Sequence, residues 1–88
     1  MHEMSLALEV GRLVEDQLRI HPGRLLRVGV KVGDDAGVEP GNLAFCLEAV
    51  LAHPPFSGAT AIMERVGGDL LNLDFVEIDD GYPDDRSS

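Results

Sequence analysis

Apolar residues recur at helical spacing in two separate parts of the chain. In the first part, an apolar side chain returns every three or four residues, at Met4, Ala7, Val10, Val14 and Leu18. This period places the side chains on one face of a helix. Ser5 is a candidate N-cap, and the pair Pro22-Gly23 stops the helix. The pattern therefore predicts an amphipathic helix over residues 4–20.

The second helical part begins at Pro40 and ends at His53-Pro54-Pro55. Proline is favoured at the first position of a helix, where its missing N–H costs nothing. The apolar residues that follow have the spacing of a core-facing stripe: Leu43, Cys46, Leu47, Val50 and Leu51. We expect a second amphipathic helix in which the Cys46 thiol is a small buried apolar group.

The segment LRVGVKVG, residues 26–33, alternates between large apolar residues and polar or small ones. The apolar face is predicted to hold Leu26, Val28, Val30 and Val32, and the opposite face Arg27, Gly29 and Lys31. Successive side chains of a strand point to opposite faces, so this pattern predicts a strand with one buried and one solvated face.

Two further β-type runs, ATAIMERV and LLNLDFVEI, flank Gly67-Gly68. Two glycines supply the positive φ values of a tight turn, so we expect the runs to pair as an antiparallel hairpin. In the second run, Leu71, Leu73 and Phe75 share one face, whereas Val76 and Ile78 have the opposite parity. A β-bulge at Phe75-Val76 would return them to a common face.

The predicted elements follow one another as helix, strand, helix, strand, strand. Two amphipathic helices and a sheet with one apolar face bury those faces against each other. The sequence therefore predicts an α+β fold with two helices packed on one face of a three-stranded sheet. We assign residues 1–79 to this single domain. Residues 80–88 are rich in Asp, Gly, Pro and Ser, so we expect an acidic, disordered tail.

Composition narrows the classes of partner. The chain has 7 basic and 16 acidic residues and a net charge of −9 at pH 7, whereas a nucleic-acid-binding domain needs a basic face. It has no run of about 18 apolar residues that would span a membrane, and its first residues lack the pattern of a secretion signal. A single cysteine excludes an internal disulfide. We expect a cytoplasmic protein that binds neither nucleic acid nor membrane.

The first three residues carry the densest set of metal-capable groups in the chain. Met1 supplies an amine, His2 an imidazole, and His2 and Glu3 supply main-chain amides. Ni²⁺ and Cu²⁺ can displace amide protons beside such anchors, and planar nitrogen coordination is characteristic of both ions. Binding requires a deprotonated amine and a neutral imidazole. The residues alone leave two interpretations, a metal site and the frayed end of a helix.

Three stretches, MHEMSLA, RVGVKVG and GVEPGNLAFCLEAV, resemble the HypA/HybF family of nickel-insertion proteins for nickel–iron hydrogenase. The similarity runs across residues 1–53 and returns at GGDLLNLDFVEI. The resemblance implies that Met1, His2 and Glu3 bind Ni²⁺. The family's acidic residue before the second helix is linked to the same metal, and Glu39 matches it. Glu39 has an equally good structural interpretation as a carboxylate attracted to the positive end of a helix dipole.

The chain departs from the family pattern in one place. Family members carry a zinc domain with two Cys-x-x-Cys pairs between their last two strands, and this chain has neither pair. We therefore expect the tight hairpin at Gly67-Gly68 to replace the zinc domain. We also expect no structural zinc.

The resemblance implies a hydrogenase maturation factor that is not an enzyme. It would carry Ni²⁺ as transient cargo to a hydrogenase large subunit and cooperate with the family's maturation GTPase. A homo-oligomer is a further possible assembly. The alternative is a metal-free adaptor that docks onto a hydrogenase or maturation complex. The edge of a three-stranded sheet would suit that role, because it can pair with another chain.

Overall fold

A computed structural model of the chain describes residues 3–81. The elements in chain order are α1 (Glu3–Ile20), β1 (Arg24–Gly33), α2 (Pro40–Leu51), β2 (Thr60–Val66) and β3 (Leu71–Asp79). The predicted α+β class is confirmed, with two helices and one three-stranded sheet sharing a common core. Residues 82–88, most of the predicted tail, lie outside the described residues. Between residues 3 and 81, no helix is long and apolar enough to cross a membrane.

The two helices bury the predicted faces and pack closely on each other. Ala7, Val10 and Val14 of α1 are buried, and so are four residues of the predicted α2 stripe: Leu43, Cys46, Leu47 and Leu51. A Cβ atom added to Gly11 of α1 would lie 2.9 Å from a methyl carbon of Val50 in α2. The glycine therefore lets the two helix backbones approach.

Two details of the α1 prediction are wrong. Ser5 is not the N-cap, because α1 already begins at Glu3 and Ser5 lies inside its first turns with an exposed side chain. Met4 leaves the predicted core stripe and is 44% exposed. The first error follows from the earlier helix start, which places Ser5 within α1.

Strand β1 is the central strand and supplies much of the core. Val28, Val30 and Val32 are buried as predicted, but the fourth buried hydrophobic side chain is that of Leu25 and not Leu26. The register against β3 shifts between Leu25 and Arg27, so two steps along β1 match one step along β3. This bulge moves Leu26 out of the alternation and corrects the predicted face.

A second irregularity confirms the β-bulge expected in β3, although it lies earlier than predicted. Gly29 of β1 pairs with Phe75, and the next residue, Val30, pairs with Leu73. Asp74 is therefore the extra residue. Because the bulge precedes Phe75, this ring leaves the core face and covers Gly29 on the open face, where it is 41% exposed. Placing Phe75 on the core face was wrong.

The predicted hairpin between the last two strands is also wrong. The strand order is β2-β1-β3, with β2 parallel and β3 antiparallel to β1. The residues between β2 and β3 thus pass over the carboxyl end of β1. Three main-chain N–H groups there donate to this link: Gly33 to Leu70 O (2.5 Å), Asp34 to Val66 O (2.8 Å) and Asp35 to Gly68 O (2.8 Å). The two glycines join strands on opposite sides of β1 and close no hairpin.

Candidate metal centre

The structure describes two of the four predicted metal ligands and brings them together. Glu3 opens α1, and Glu39 lies directly before α2. Although 36 positions separate them in the chain, the Glu39 main-chain N–H donates to Glu3 Oε2 at 3.4 Å. Met1 and His2 lie outside the described residues. The first turn of α1 therefore lies against the start of α2.

Glu39 forms the N-cap of α2. Its backbone is extended, with φ −85° and ψ 113°, and Pro40 takes the first helical position. The Glu39 carboxylate folds back and accepts hydrogen bonds from the main-chain N–H groups of Gly41 (3.1 Å) and Asn42 (2.5 Å). These amides would otherwise lack partners at the helix start. The structural interpretation of Glu39 as a carboxylate at a helix N-terminus is confirmed, and its role toward a metal stays a prediction.

The Glu3 carboxylate connects the two helices. Its Oε1 accepts a hydrogen bond from Asn42 Nδ2 at 3.0 Å, and its Oε2 accepts the longer one from Glu39 N–H. These contacts lower the pKa of the Glu3 carboxyl. Its own main-chain amide has the largest effect, followed by the Glu39 amide, and the Asn42 side chain also contributes. The connection is therefore present above this lowered pKa and is lost as the pH falls through it.

Two carboxylates thus meet at the positive end of α2. The helix dipole and the main-chain amides of the first turn, which have no intrahelical acceptors, favour negative charge there. Within residues 3–81, no group of three or more His, Cys, Asp or Glu side chains is placed to hold a metal ion. Glu3 and Glu39 alone do not make a metal centre.

Asn42 is the residue of this cluster that the sequence reading missed. It lies in the first turn of α2, and its main-chain N–H donates to Glu39 while its side chain donates to Glu3. The spacing of apolar residues predicts which face of α2 is buried, but it does not predict a polar contact between α2 and another helix. Only the approach of α1 and α2 reveals its position.

Comparisons with known proteins agree with the resemblance seen in the sequence. The family model described as "Hydrogenase/urease nickel incorporation, metallochaperone, hypA" matches residues 1–71. A hydrogenase maturation factor HypA of Paracoccus denitrificans is 38% identical over 84 residues, which cover 91% of this chain and 74% of that protein.

Proteins of the same name from Chlorobium limicola and an Azoarcus species are 39% and 42% identical. The matches cover 75% and 77% of this chain. They cover only 58% and 60% of those two relatives, so the chain spans somewhat more than half of their length.

Proposed function

Because the chain belongs to the HypA family of nickel-incorporation metallochaperones, we propose that it binds one Ni²⁺ at its N-terminus as transient cargo. The ion would be passed to the large subunit of a nickel–iron hydrogenase. The observation that carries the proposal is the attachment of Glu3 to the start of α2 beside Glu39. This contact anchors the residue that follows the proposed amine and imidazole ligands.

The proposed ligand set combines the start of the chain with this anchor. Four nitrogens form a plane: the Met1 amine, the His2 imidazole, and the main-chain nitrogens of His2 and Glu3. Glu39 is the fourth residue of the set, and its carboxylate would approach the metal from the start of α2. Planar nitrogen coordination suits Ni²⁺, and it suits Cu²⁺ even better by the usual order of divalent affinities. Selectivity for nickel then depends on which metal the cell supplies.

The partners and the lack of catalysis are part of the same proposal. The proposed site is built on the start of the chain, so the ion could be exchanged without unfolding of the core. The protein delivers an ion and catalyses no reaction. We propose the hydrogenase large subunit as the acceptor and a maturation GTPase as the cooperating protein. We also propose that the protein holds no structural zinc. The cytoplasmic location stays a prediction.

Replacing His2 tests the site directly. Titration of the native chain with Ni²⁺ should give about one site per chain, yellow and diamagnetic if four nitrogens form a square plane. His2→Ala should abolish this species, because it removes the imidazole that anchors amide deprotonation. Absorption spectroscopy detects the yellow species, and calorimetry measures the number of sites in the native chain and in His2→Ala.

His21→Ala is the matched control for His2→Ala. His21 follows the last residue of α1, about 27 Å from Glu3 at the usual helical rise. His21→Ala should therefore leave nickel binding unchanged. A His2→Ala protein that still forms the yellow species would exclude the imidazole as a ligand.

Two substitutions at Glu39 separate its two possible roles. Glu39→Ala removes both the carboxylate and the cap, and should cost about 0.5–2 kcal/mol of folding free energy. Glu39→Ser keeps a capping oxygen and should stay closer to native stability. We expect both variants to weaken nickel binding by less than His2→Ala does, as measured by competition with a chelator. Native nickel affinity in Glu39→Ser would show that Glu39 acts as a cap alone.

A further inference from the structure

The side-chain amide of Asn42 makes a connection that helix packing does not require. Among residues 3–81, its 3.0 Å bond to Glu3 is the only side chain–side chain hydrogen bond between α1 and α2. The other such bonds of α1 run between neighbouring residues of the same helix, from Arg12 to Glu9 and from Arg19 to Asp16. The contact joins the first residue of α1 to the first turn of α2.

The local backbone is arranged around this contact. A Cβ atom added to Gly41 would lie 3.3 Å from both carboxylate oxygens of Glu39, so the glycine leaves room for Glu39 to fold back over α2. With Glu39 capping the main-chain N–H groups of Gly41 and Asn42, the Asn42 side chain remains available for Glu3. Asn42 therefore contacts both carboxylates, one through its backbone and one through its side chain.

We propose that Asn42 is a positioning residue for the N-terminal nickel site and acts through Glu3. The inference rests on the proposed function. The first turn of a helix frays readily because its N–H groups lack intrahelical acceptors. By holding the Glu3 side chain, Asn42 restrains the residue whose main-chain nitrogen is one of the proposed ligands. A smaller loss of backbone freedom on metal binding then gives a higher affinity.

Two donors hold the Glu3 carboxylate on α2: the Asn42 side-chain amide at 3.0 Å and the Glu39 main-chain N–H at 3.4 Å. The Asn42 bond is the shorter of the two, so Asn42 is the main contact through which α2 holds this carboxylate.

A double-mutant cycle tests the positioning role. Asn42→Ala and Glu3→Ala each keep all four proposed nitrogen ligands and remove one end of the contact. Each should lower Ni²⁺ affinity by about fivefold, the size expected for one hydrogen bond of typical net strength. The double variant should lose no more than either single variant, because the two groups act as one unit. The absorption band should keep its wavelength, and nickel release to a chelator should become faster.

A control variant, amide relaxation and thermal melting distinguish a positioning role from a structural one. Asn72→Ala replaces the chain's other asparagine and should leave affinity and release rate unchanged. Amide relaxation of Glu3 in the metal-free Asn42→Ala protein should show increased mobility. A variant that only melts at a lower temperature, with native affinity and release rate, would reduce Asn42 to a structural contact and overturn the inference. Additive losses in the double variant would overturn it as well.

The positioning role of Asn42 can fail while the proposed function stands, and the two failures are distinguishable. If a chain extended ahead of Met1 binds nickel normally, the site itself is elsewhere, and both proposals are wrong. If the extension abolishes binding while Asn42→Ala and Glu3→Ala bind normally, only the positioning role is wrong.

Discussion

Two residues, Gly-Ser, placed ahead of Met1 should abolish the square-planar nickel species. The extension converts the Met1 amine into an amide, so the terminal amine moves away and the chelate rings through His2 and Glu3 lose their first member. Because it removes a direct ligand, the loss of affinity should exceed the roughly 10–100-fold typical of changes outside the ligand set. Calorimetry and the visible absorption band measure it.

The pH dependence of nickel binding gives a second signature of the amine. Protons compete with the metal at the amine, with an unperturbed pKa of about 7.7–8.0, and at the imidazole, with one of about 6.5. Affinity of the chain that begins at Met1 should therefore fall as the pH is lowered through both values. Any residual binding in the extended protein should follow the imidazole alone and show a shallower dependence.

The matched control adds the same two residues after Ser88, which leaves the amine intact and should leave nickel binding unchanged. An N-terminally extended protein that binds Ni²⁺ as tightly as the native chain would contradict the metallochaperone proposal. The metal-free adaptor would then be the better proposal for this protein.

Local patterns in the sequence predicted both helices, because each has an apolar stripe and a breaker within its own segment. The start of α2 at Pro40 and its end at Leu51 agree with the prediction. The buried valines of β1 also agree, since alternation fixes which side chains share a face. These features depend on residues that are near one another in the chain.

The pairing of the strands could not be obtained in the same way. Alternation gives the face of a strand but does not identify its neighbour. Gly67-Gly68 suits a hairpin, yet β1 pairs on both sides and separates β2 from β3. Two bulges place Leu25, not Leu26, in the core and move Phe75 to the open face of the sheet. Both arise from the pairing of β1 with β3, and this pairing is defined only in the assembled sheet.

In the candidate site, too, local features could be predicted from the sequence and long-range contacts could not. Glu39 could be assigned to the start of α2 from the sequence, because an acidic residue before proline and an apolar stripe is a helix-start signal. The contact from Asn42 to Glu3 joins residues 39 positions apart. No spacing rule predicts such a contact, since it depends on how α1 crosses α2 at Gly11.

Gly33→Ala should strongly destabilise the fold, because the link between β2 and β3 passes directly over this residue. A Cβ atom there would clash with the carbonyl oxygen of Gly68 and lie 2.7 Å from the main-chain nitrogen of Leu70. Both neighbours are backbone atoms, which cannot rotate away as a side chain can. We expect a loss of about 2–3 kcal/mol of folding free energy. For a domain of this size, that lowers the melting temperature by about 10–20 °C.

Gly67→Ala is the matched control in the same link. A Cβ atom at Gly67 would have no heavy atom within 4 Å, and its φ lies outside the left-handed region. Alanine there should be neutral or slightly stabilising, because it restricts the unfolded chain without straining the folded one. Thermal and urea unfolding of the two variants measure the difference. Equal stability of Gly33→Ala and Gly67→Ala would contradict the passage of this link over the end of β1, and with it the strand order β2-β1-β3.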